Sequence, residues 1–183
     1  MTILHIDSSI SGENSASRAI SRSIVDQLGA FDPNAEVVTR DLVSEPLPHL
    51  TLDAFADTSV LDEFLAADTI VIGAPMYNFT LPTQLKAWLD RILVAGGTFR
   101  YTENGPEGLA GGKRVIIALA RGGFYNQGSP AAALEHLETY LRGVFNFIGI
   151  EPEFVAADGL AIGPEQRDSA IKQALGETVR LAA

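Results

Sequence analysis

Short, continuous runs of apolar residues alternate along the chain with segments whose apolar residues recur every three or four positions. A continuous run is typical of a strand buried on both faces, and the recurrent spacing is typical of a helix with one buried face. The runs predict five strands, at residues 2–7, 36–42, 68–74, 114–120 and 153–157. The spacing predicts five helices. The first has Ile20, Ile24, Val25 and Leu28 on one face and stops at Gly29, and the third has a stripe of Leu85, Trp88, Leu89, Ile92 and Leu93. The other three are expected at 58–67, 130–148 and 165–181. The glycine-rich stretch at 98–112 is expected to be a looped insertion.

These elements predict a single α/β domain over residues 1–183. Strands that alternate with helices require right-handed crossovers, which give a parallel sheet with helices on both faces. Two doubly wound arrangements satisfy the pattern, a dinucleotide-binding Rossmann sheet and a flavodoxin-like sheet of order 2-1-3-4-5. Residues 8–15 lack the G-x-G-x-x-G that follows the first strand of a Rossmann sheet, and five strands fit the smaller arrangement. We therefore predict the flavodoxin-like order, with strand 36–42 near an edge because polar residues interrupt it.

Composition and charge narrow the range of functions. Acidic residues outnumber basic ones by 23 to 13, and the net charge of −10 argues against nucleic acid or an anionic membrane as a partner. The chain has no cysteine, which excludes disulfides, thiolate catalysis and cysteine metal sites and favours a cytoplasmic location. No signal peptide is expected at the N-terminus, and no apolar run is long enough to cross a bilayer.

The loop after the first strand carries five serines within ten residues, namely Ser8, Ser9, Ser11, Ser15 and Ser17. Serine hydroxyls and the free N–H groups of a helix's first turn make an anion cradle, which the helix dipole strengthens. Because no Gly-Lys-Ser/Thr is present to grip a triphosphate, a monophosphate is the expected ligand. The alternative is that one serine caps the helix while the others are solvated. Arg18 can add positive charge to such a cradle, but it is expected to be a solvated helix residue.

Two further loops follow buried strands at the edge where open α/β sheets bind their ligands. The stretch Ala74-Pro-Met-Tyr-Asn-Phe79 offers flat, apolar side chains and backbone N–H groups, which suit a planar cofactor such as a flavin. The stretch Ala120-Arg-Gly-Gly-Phe-Tyr125 has two glycines, which permit close backbone approach and conformations that other residues avoid. The alternatives are aromatics that close the core and an ordinary glycine turn.

Other catalytic motifs are lacking. The three histidines, His5, His49 and His136, show no metal-ligand spacing, and His5 is expected in the core or at a sheet edge. Neither G-x-S-x-G nor H-E-x-x-H occurs, so a serine hydrolase and a zinc protease have no support. The surplus of carboxylates is interpreted as a solvated surface.

Several stretches together resemble one family, the FMN-dependent NADH-azoreductases, also called FMN-dependent NADH:quinone oxidoreductases. The resemblance rests on Ser8-Ser-Ile, Ser15-Ala-Ser17, Ala74-Pro-Met-Tyr-Asn-Phe79, Thr83-Gln-Leu-Lys86, Thr98-Phe-Arg-Tyr-Thr-Glu-Asn-Gly-Pro-Glu-Gly-Leu109 and Arg121-Gly-Gly123. It runs in order from residue 2 to about residue 164, and the segment 98–109 is its most specific part.

The resemblance implies a flavodoxin-like homodimer with one FMN per subunit at the interface, NADH as electron donor, and a quinone or azo compound as acceptor. It implies that the FMN phosphate lies at Ser9, Ser15, Ala16 and Ser17, that the isoalloxazine and ribityl chain lie along Met76, Tyr77, Asn78 and Phe79, and that the pyrimidine ring is bordered by Ala120, Arg121, Gly122 and Gly123. Tyr101 and Phe147 match aromatics that enclose the substrate space, with one reaching across the dimer. No catalytic side chain is implied, since the chemistry belongs to flavin N5.

Two features depart from the family pattern. Position 120 is alanine where the family often has a hydroxyl residue, and the connection at 46–62, which bears on the pocket rim, is shorter than in the better-known members. Two alternatives stay open, a flavodoxin-type electron carrier and a flavin-free structural relative. The acidic charge suits a carrier that docks on basic proteins, but the chain has no Thr-Gly-x-Thr phosphate loop.

Overall fold

Seven strands and five α-helices make up residues 1–181, the part of the chain that the computed structural model describes. The strands are β1 (Thr2–Asp7), β2 (Glu36–Asp41), β3 (Thr69–Pro75), β4 (Phe99–Thr102), β5 (Gly105–Gly108), β6 (Arg114–Ala120) and β7 (Glu153–Ala157). The helices are α1 (Ala16–Phe31), α2 (Ser59–Ala66), α3 (Thr83–Ile92), α4 (Glu138–Phe147) and α5 (Pro164–Leu181).

Five of the strands form one parallel sheet in the order β2-β1-β3-β6-β7. Counted without the short strands β4 and β5, this is the predicted order 2-1-3-4-5, and β2 is at an edge as expected. The register pairs Asp7 with Asp41 on one side and with Gly73 on the other, and Pro75 with Ala120. The carboxyl ends of four neighbouring strands therefore meet along one edge of the sheet.

The sheet buries apolar side chains on both faces, as its continuous apolar runs predict. Helices α1 and α5 cover one face, where Ile20, Ile24 and Ala174 are fully or almost fully buried. Helices α2, α3 and α4 cover the other face, and Phe64 of α2 meets Trp88 of α3 edge to face at 6.1 Å. The predicted stripe on α3 packs into this second core. Among residues 1–181, no helix combines the length and the apolar content that a membrane crossing needs.

The prediction of a loop at 98–112 is wrong, because β4 and β5 pair there as an antiparallel hairpin. The hairpin is attached to the ends of α3 and α4. Leu109 donates its N–H to the carbonyl of Thr98, and Ala110 donates to the carbonyl of Ile148. Since α3 and α4 run back from the carboxyl edge of the sheet, the hairpin lies toward the opposite end of the molecule.

Two helix boundaries also differ from the prediction. Helix α4 begins at Glu138 and not near residue 130, because the carboxylate of Glu135 caps it and a short 3-10 turn precedes it. Helix α1 continues past Gly29 to Phe31, where Asp32 donates its N–H to the carbonyl of Leu28. A glycine in the last turn lowers helix propensity without ending the helix.

Candidate functional site

The three loops that follow β1, β3 and β6 are bonded to one another. The hydroxyl of Tyr77 lies 3.2 Å from the Ser9 hydroxyl and accepts the N–H of Ile10 at 3.1 Å, which joins the first two loops. Met76 donates its N–H to the carbonyl of Ala120 at 2.8 Å, which joins the second to the third. The loops predicted from sequence to act together therefore do form one surface.

A cavity of about 130 Å³ opens where these loops meet. Its lining includes six of the predicted cofactor residues: Ser9, Ser15, Ala16, Met76, Tyr77 and Ala120. It also includes Leu160 and Arg167, which sequence reasoning did not single out. No residue of the connection at 46–62 lines it. That connection is held near the C-terminal end of α3, where Arg91 donates to the carbonyl of Pro48 at 3.1 Å.

Some polar groups of the serine loop hold the structure together, and others have no hydrogen-bond partner within residues 1–181. Ser8 donates its hydroxyl to the carbonyl of Gly73 at 2.7 Å, and Ser15 caps α1 by accepting the N–H of Arg18 at 3.3 Å. The Ser15 and Ser17 hydroxyls are 3.1 Å apart. Within the described part of the chain, the N–H groups of Ala16 and Ser17 donate to no other group. The loop thus has a capped helix start and two free amide donors, so a capping role for Ser15 leaves its anion-binding capacity intact.

Residues 77–80 form a tight turn in an uncommon conformation. Tyr77 and Thr80 exchange both backbone hydrogen bonds, at 2.9 and 3.2 Å, and the two central residues have positive φ, 47° at Asn78 and 73° at Phe79. This is the pattern of a type I′ turn, which favours Asn or Gly and strains an aromatic residue. The N–H groups of Asn78 and Phe79 have no acceptor in residues 1–181. Backbone strain of this kind collects at ligand-binding sites.

The glycine loop after β6 has its carbonyl groups occupied and its amides free. The carbonyls of residues 121–123 accept the N–H groups of Leu160, Ala161 and Gly159 at 3.1, 2.9 and 3.1 Å. The amides of Gly122 and Gly123 donate to no acceptor in the described residues. Neither glycine has a positive φ, so the unusual conformations that glycine permits are not used at these two positions.

The side chain of Arg121 points away from the cavity into a cluster of carboxylates. It is 4% exposed, forms a two-pronged ion pair with Asp158 at 2.6 and 3.2 Å, and reaches Glu138 at 3.3 Å and Glu135 at 3.6 Å. Burial alone lowers the pKa of Arg121, but the hydrogen bonds to Asp158 and the attraction of the three carboxylates together outweigh it, and the pKa is raised. Arg121 therefore ties the glycine loop to the loop after β7 and to the start of α4.

Glu135 is the cap on that helix. Its carboxylate accepts the N–H groups of Leu137, Glu138 and Thr139 at 3.1, 2.8 and 3.0 Å. Burial alone raises the pKa of Glu135, but these hydrogen bonds from the helix start outweigh it and the pKa lies below its usual range. Glu135 thus stays charged beside Arg121.

The prediction that Arg18 is solvated is also wrong. Its guanidinium forms a two-pronged ion pair with Asp41 at 2.8 and 2.9 Å, donates to the carbonyl of Ser9 at 2.9 Å and lies 3.4 Å from Asp7. This hydrogen-bonded pair lowers the pKa of Asp41 and raises that of Arg18. Arg18 therefore clamps the serine loop to the ends of β1 and β2.

Beneath this clamp, His5 is buried in the core, one of the two places expected from its position in the middle of a strand, and it lies in a polar network. Its Nε2 lies 3.0 Å from the Ser21 hydroxyl and 3.6 Å from a carboxylate oxygen of Asp7. Burial lowers the pKa of His5 below 6.5, and the attraction of Asp7 only partly offsets this. His5 is therefore neutral in the folded protein at neutral pH.

We expect wild-type stability to decrease as the pH falls below 6.5, because the unfolded chain then protonates His5 while the folded chain resists doing so. In His5→Gln this contribution is absent, so the free energy of unfolding should fall less over the same interval. Urea unfolding at neutral and mildly acidic pH measures the difference. His49→Gln, at an exposed position, is the matched control and should keep the wild-type pH dependence. An equal loss of stability on acidification in His5→Gln and wild type contradicts the prediction.

Two predicted pocket residues are not near the cavity. Tyr101 is 75% exposed on β4, and Phe147 ends α4. Both rings pack on Phe99, with centroids 5.6 and 4.7 Å away, so they form one aromatic cluster on the hairpin side. Within a single chain this cluster and the cavity lie toward opposite ends of the sheet.

Comparison with known proteins agrees with this fold. A family model described as a flavodoxin-like fold matches residues 1–181. An azoreductase structure from Bacillus anthracis strain Sterne superimposes with a TM-score of 0.90 at 29% identity, covering 100% of this chain and 98% of that one. The structure of an FMN-dependent NADH-azoreductase from Bacillus anthracis strain Ames Ancestor, in complex with FMN, gives 0.86 at 26% identity with full coverage of both. The class of protein is thus flavodoxin-like.

Sequence relatives narrow the class to a family. The FMN-dependent NADH:quinone oxidoreductase 2 of Bradyrhizobium diazoefficiens is 55% identical over 201 aligned positions, covering all of both chains. The FMN-dependent NADH:quinone oxidoreductase of Rhizobium meliloti is 55% identical over 193 positions, covering 95% of this chain and 93% of that one. The chain belongs to the FMN-dependent NADH:quinone oxidoreductase family.

Proposed function

We propose that this protein is an FMN-dependent NADH oxidoreductase that reduces quinones and aromatic azo compounds. The observation that carries the proposal is the meeting of three loops around one cavity, each with backbone N–H groups that no protein acceptor uses within residues 1–181. The free amides of Ala16 and Ser17 belong to buried residues, where a donor without an acceptor is costly, so these two favour a polar ligand. The free amides of Asn78, Phe79 and Gly122 belong to exposed residues and are open to a ligand from solvent. FMN has acceptor oxygens and nitrogens at both of its ends.

The three loops offer groups that suit FMN from the phosphate to the pyrimidine. Ser9, Ser15 and Ser17, with the first-turn amides of α1, suit the phosphate, which a helix N-terminus favours. The turn Met76–Phe79 offers apolar area for the ring system and two unused amides. The amides of Gly122 and Gly123 suit the carbonyl groups of the pyrimidine. Ala120 has no side-chain hydroxyl, so any hydrogen bond at that position comes from the backbone.

When bound, FMN would supply the redox chemistry at N5, taking a hydride from NADH and giving two electrons to the acceptor in a ping-pong sequence. The side chains named here bind and orient, and none acts as a required acid, because solvent can protonate a quinone or an azo nitrogen. The amides of the glycine loop and the start of α1 supply preorganised donors that stabilise negative charge. Flat donor and acceptor stacked in turn over one face gain the advantage of proximity.

We also propose that the working unit is a homodimer with one site per subunit at the interface. Tyr101 and Phe147 form an aromatic cluster at the end of the chain remote from its own cavity, so they can enclose a substrate space only in a second copy. On the cavity side, the apolar side chains of Phe79 and Phe124 are 42% and 45% exposed. A second copy would cover them in the dimer. Light scattering of the FMN-loaded protein tests this and should give twice the chain mass.

The experiment that tests the function is anaerobic titration of the purified protein. With FMN bound, NADH should bleach the flavin absorbance by two electrons, and one equivalent of benzoquinone should restore it. Protein to which no FMN has been added is the control and should oxidise NADH at the background rate. A protein that binds FMN yet is not reduced by NADH contradicts the enzyme and favours an electron carrier. A protein that binds no FMN contradicts both.

A further inference from the structure

Arg167 brings a positive charge to the phosphate end of the cavity from the far end of the sequence. It lies in the first turn of α5, is half-buried, and lines the same cavity as Ser9, Ser15 and Ala16. Its Nη2 donates to the carbonyl of Asn14 at 2.7 Å. That single bond uses one of the five N–H donors of the guanidinium, so the others are available to a ligand.

Arg167 has no ion-pair partner in the described part of the chain. Within residues 1–181, no carboxylate lies within 4.0 Å of it, whereas Arg18 on the other side of the serine loop is paired with Asp41 and Asp7. A cation in the first turn of a helix also opposes the helix dipole, which favours anions there. An unfavourable position of this kind is explained if an anion binds beside it.

The ligand proposed for this cavity supplies that anion. Hydroxyl and amide donors at Ser9, Ser15 and Ser17 carry no net charge, and the whole chain is acidic with a net charge of −10. A phosphate dianion entering this environment gains from a nearby cation, since charge-assisted hydrogen bonds are shorter and stronger than neutral ones. Riboflavin has the same ring system and lacks the phosphate, so it gains nothing from the same cation.

We propose that Arg167 binds the FMN phosphate and sets the preference of this protein for FMN over riboflavin. The inference rests on the proposed function and adds a binding residue to it. Arg167 thus has two roles that can be separated. Its hydrogen bond to Asn14 holds the loop and contributes equally to the binding of both flavins. Its charge strengthens the binding of the phosphorylated flavin alone.

The test compares the dissociation constants of FMN and riboflavin, measured by quenching of flavin fluorescence. In Arg167→Gln, FMN should bind about tenfold to a hundredfold more weakly, and riboflavin should change less than about twofold. Arg167→Lys keeps the charge and should retain most of the preference. Lys172→Gln removes the same charge from the exposed side of α5 and should match the wild type for both flavins.

The outcomes separate the inference from the function on which it rests. If wild type prefers FMN and Arg167→Gln keeps the full preference, or if both flavins weaken equally, the inference is overturned and the enzyme proposal is not. If wild type binds neither flavin, the enzyme proposal fails. Should Arg167→Gln not fold, the wild-type preference is measured against sodium chloride concentration. It should fall as salt screens the charge, and a salt-independent preference overturns the inference.

Discussion

Replacing Arg121 with methionine is expected to lower the free energy of unfolding by about 3–5 kcal/mol. The guanidinium is 4% exposed and is the shared cation for Asp158, Glu138 and Glu135. Methionine has similar length and no charge, so the variant leaves Asp158 and Glu135 without their counter-charge, while Glu138 keeps its pair with Arg142. Breaking a buried pair on one side is costly because the remaining charges stay partly desolvated.

Urea unfolding followed by circular dichroism measures this loss, and Arg142→Met is the matched control. Arg142 also pairs with Glu138, at 3.0 Å, and with Glu151 at 2.6 Å, but its side chain is 41% exposed. Exposed ion pairs of this kind contribute about 0–1 kcal/mol, so the control should be nearly neutral. Equal losses in the two variants would show that burial of Arg121 contributes nothing. Acidification should narrow the gap between Arg121→Met and wild type, since protonated carboxyls need no counter-charge.

Gly108→Ala is expected to destabilise the protein by about 3 kcal/mol or more, beyond the usual cost of overpacking. A Cβ at this position would lie 2.2 Å from the backbone nitrogen of Gly149 and 2.2 Å from the carbonyl carbon of Ile148. These are backbone atoms of the turn that ends α4, where Gly149 has φ +91° and Ile150 donates its N–H to the carbonyl of Phe145. No side-chain rotation can relieve the contact, so the hairpin or the end of the helix must move.

Thermal unfolding measures the effect, with Gly176→Ala as the control. A Cβ at Gly176 in α5 meets nothing within 4 Å, so this change should stabilise the protein by about 0.4–1 kcal/mol. The Gly108→Ala variant should also change the near-ultraviolet signal of the aromatic cluster, because Phe99 pairs with Gly108 across the hairpin. A Gly108→Ala protein as stable as wild type would contradict the close approach of the hairpin backbone to the backbone at the end of α4.

The sheet and its order could be predicted because the buried strands carry their own signal. β3 is buried at all seven positions, and a short continuous apolar run of this kind is typical of a strand covered on both faces. The three loops could be predicted because parallel strands must end at one edge. The hairpin at 99–108 was missed because Gly105-Pro-Glu-Gly108 has neither apolar alternation nor strand propensity, and its stability comes from packing against α4.

The ion pairs were missed because their partners are far apart in sequence. Arg121 pairs with Asp158 and Arg18 with Asp41, and no local pattern relates such positions. A signal did exist: Asp7 and Asp41 both end strands, and Asp158 directly follows one. Acidic residues at the same sheet edge predict a shared cation nearby. Arg167 was missed for a similar reason, since α5 comes beside the first loop only in the folded chain.

The hydrogen bonds among the three loops affect the entropy that is lost when a ligand enters the cavity. Tyr77 with Ser9, Met76 with Ala120, and Phe79 with His136 are all held by contacts internal to the polypeptide. A receptor assembled in advance loses little entropy on association, so more of the intrinsic attraction survives as affinity. Removal of FMN and its later re-addition should therefore leave the fold intact. The strained turn at Asn78 and Phe79 should keep its conformation without the ligand.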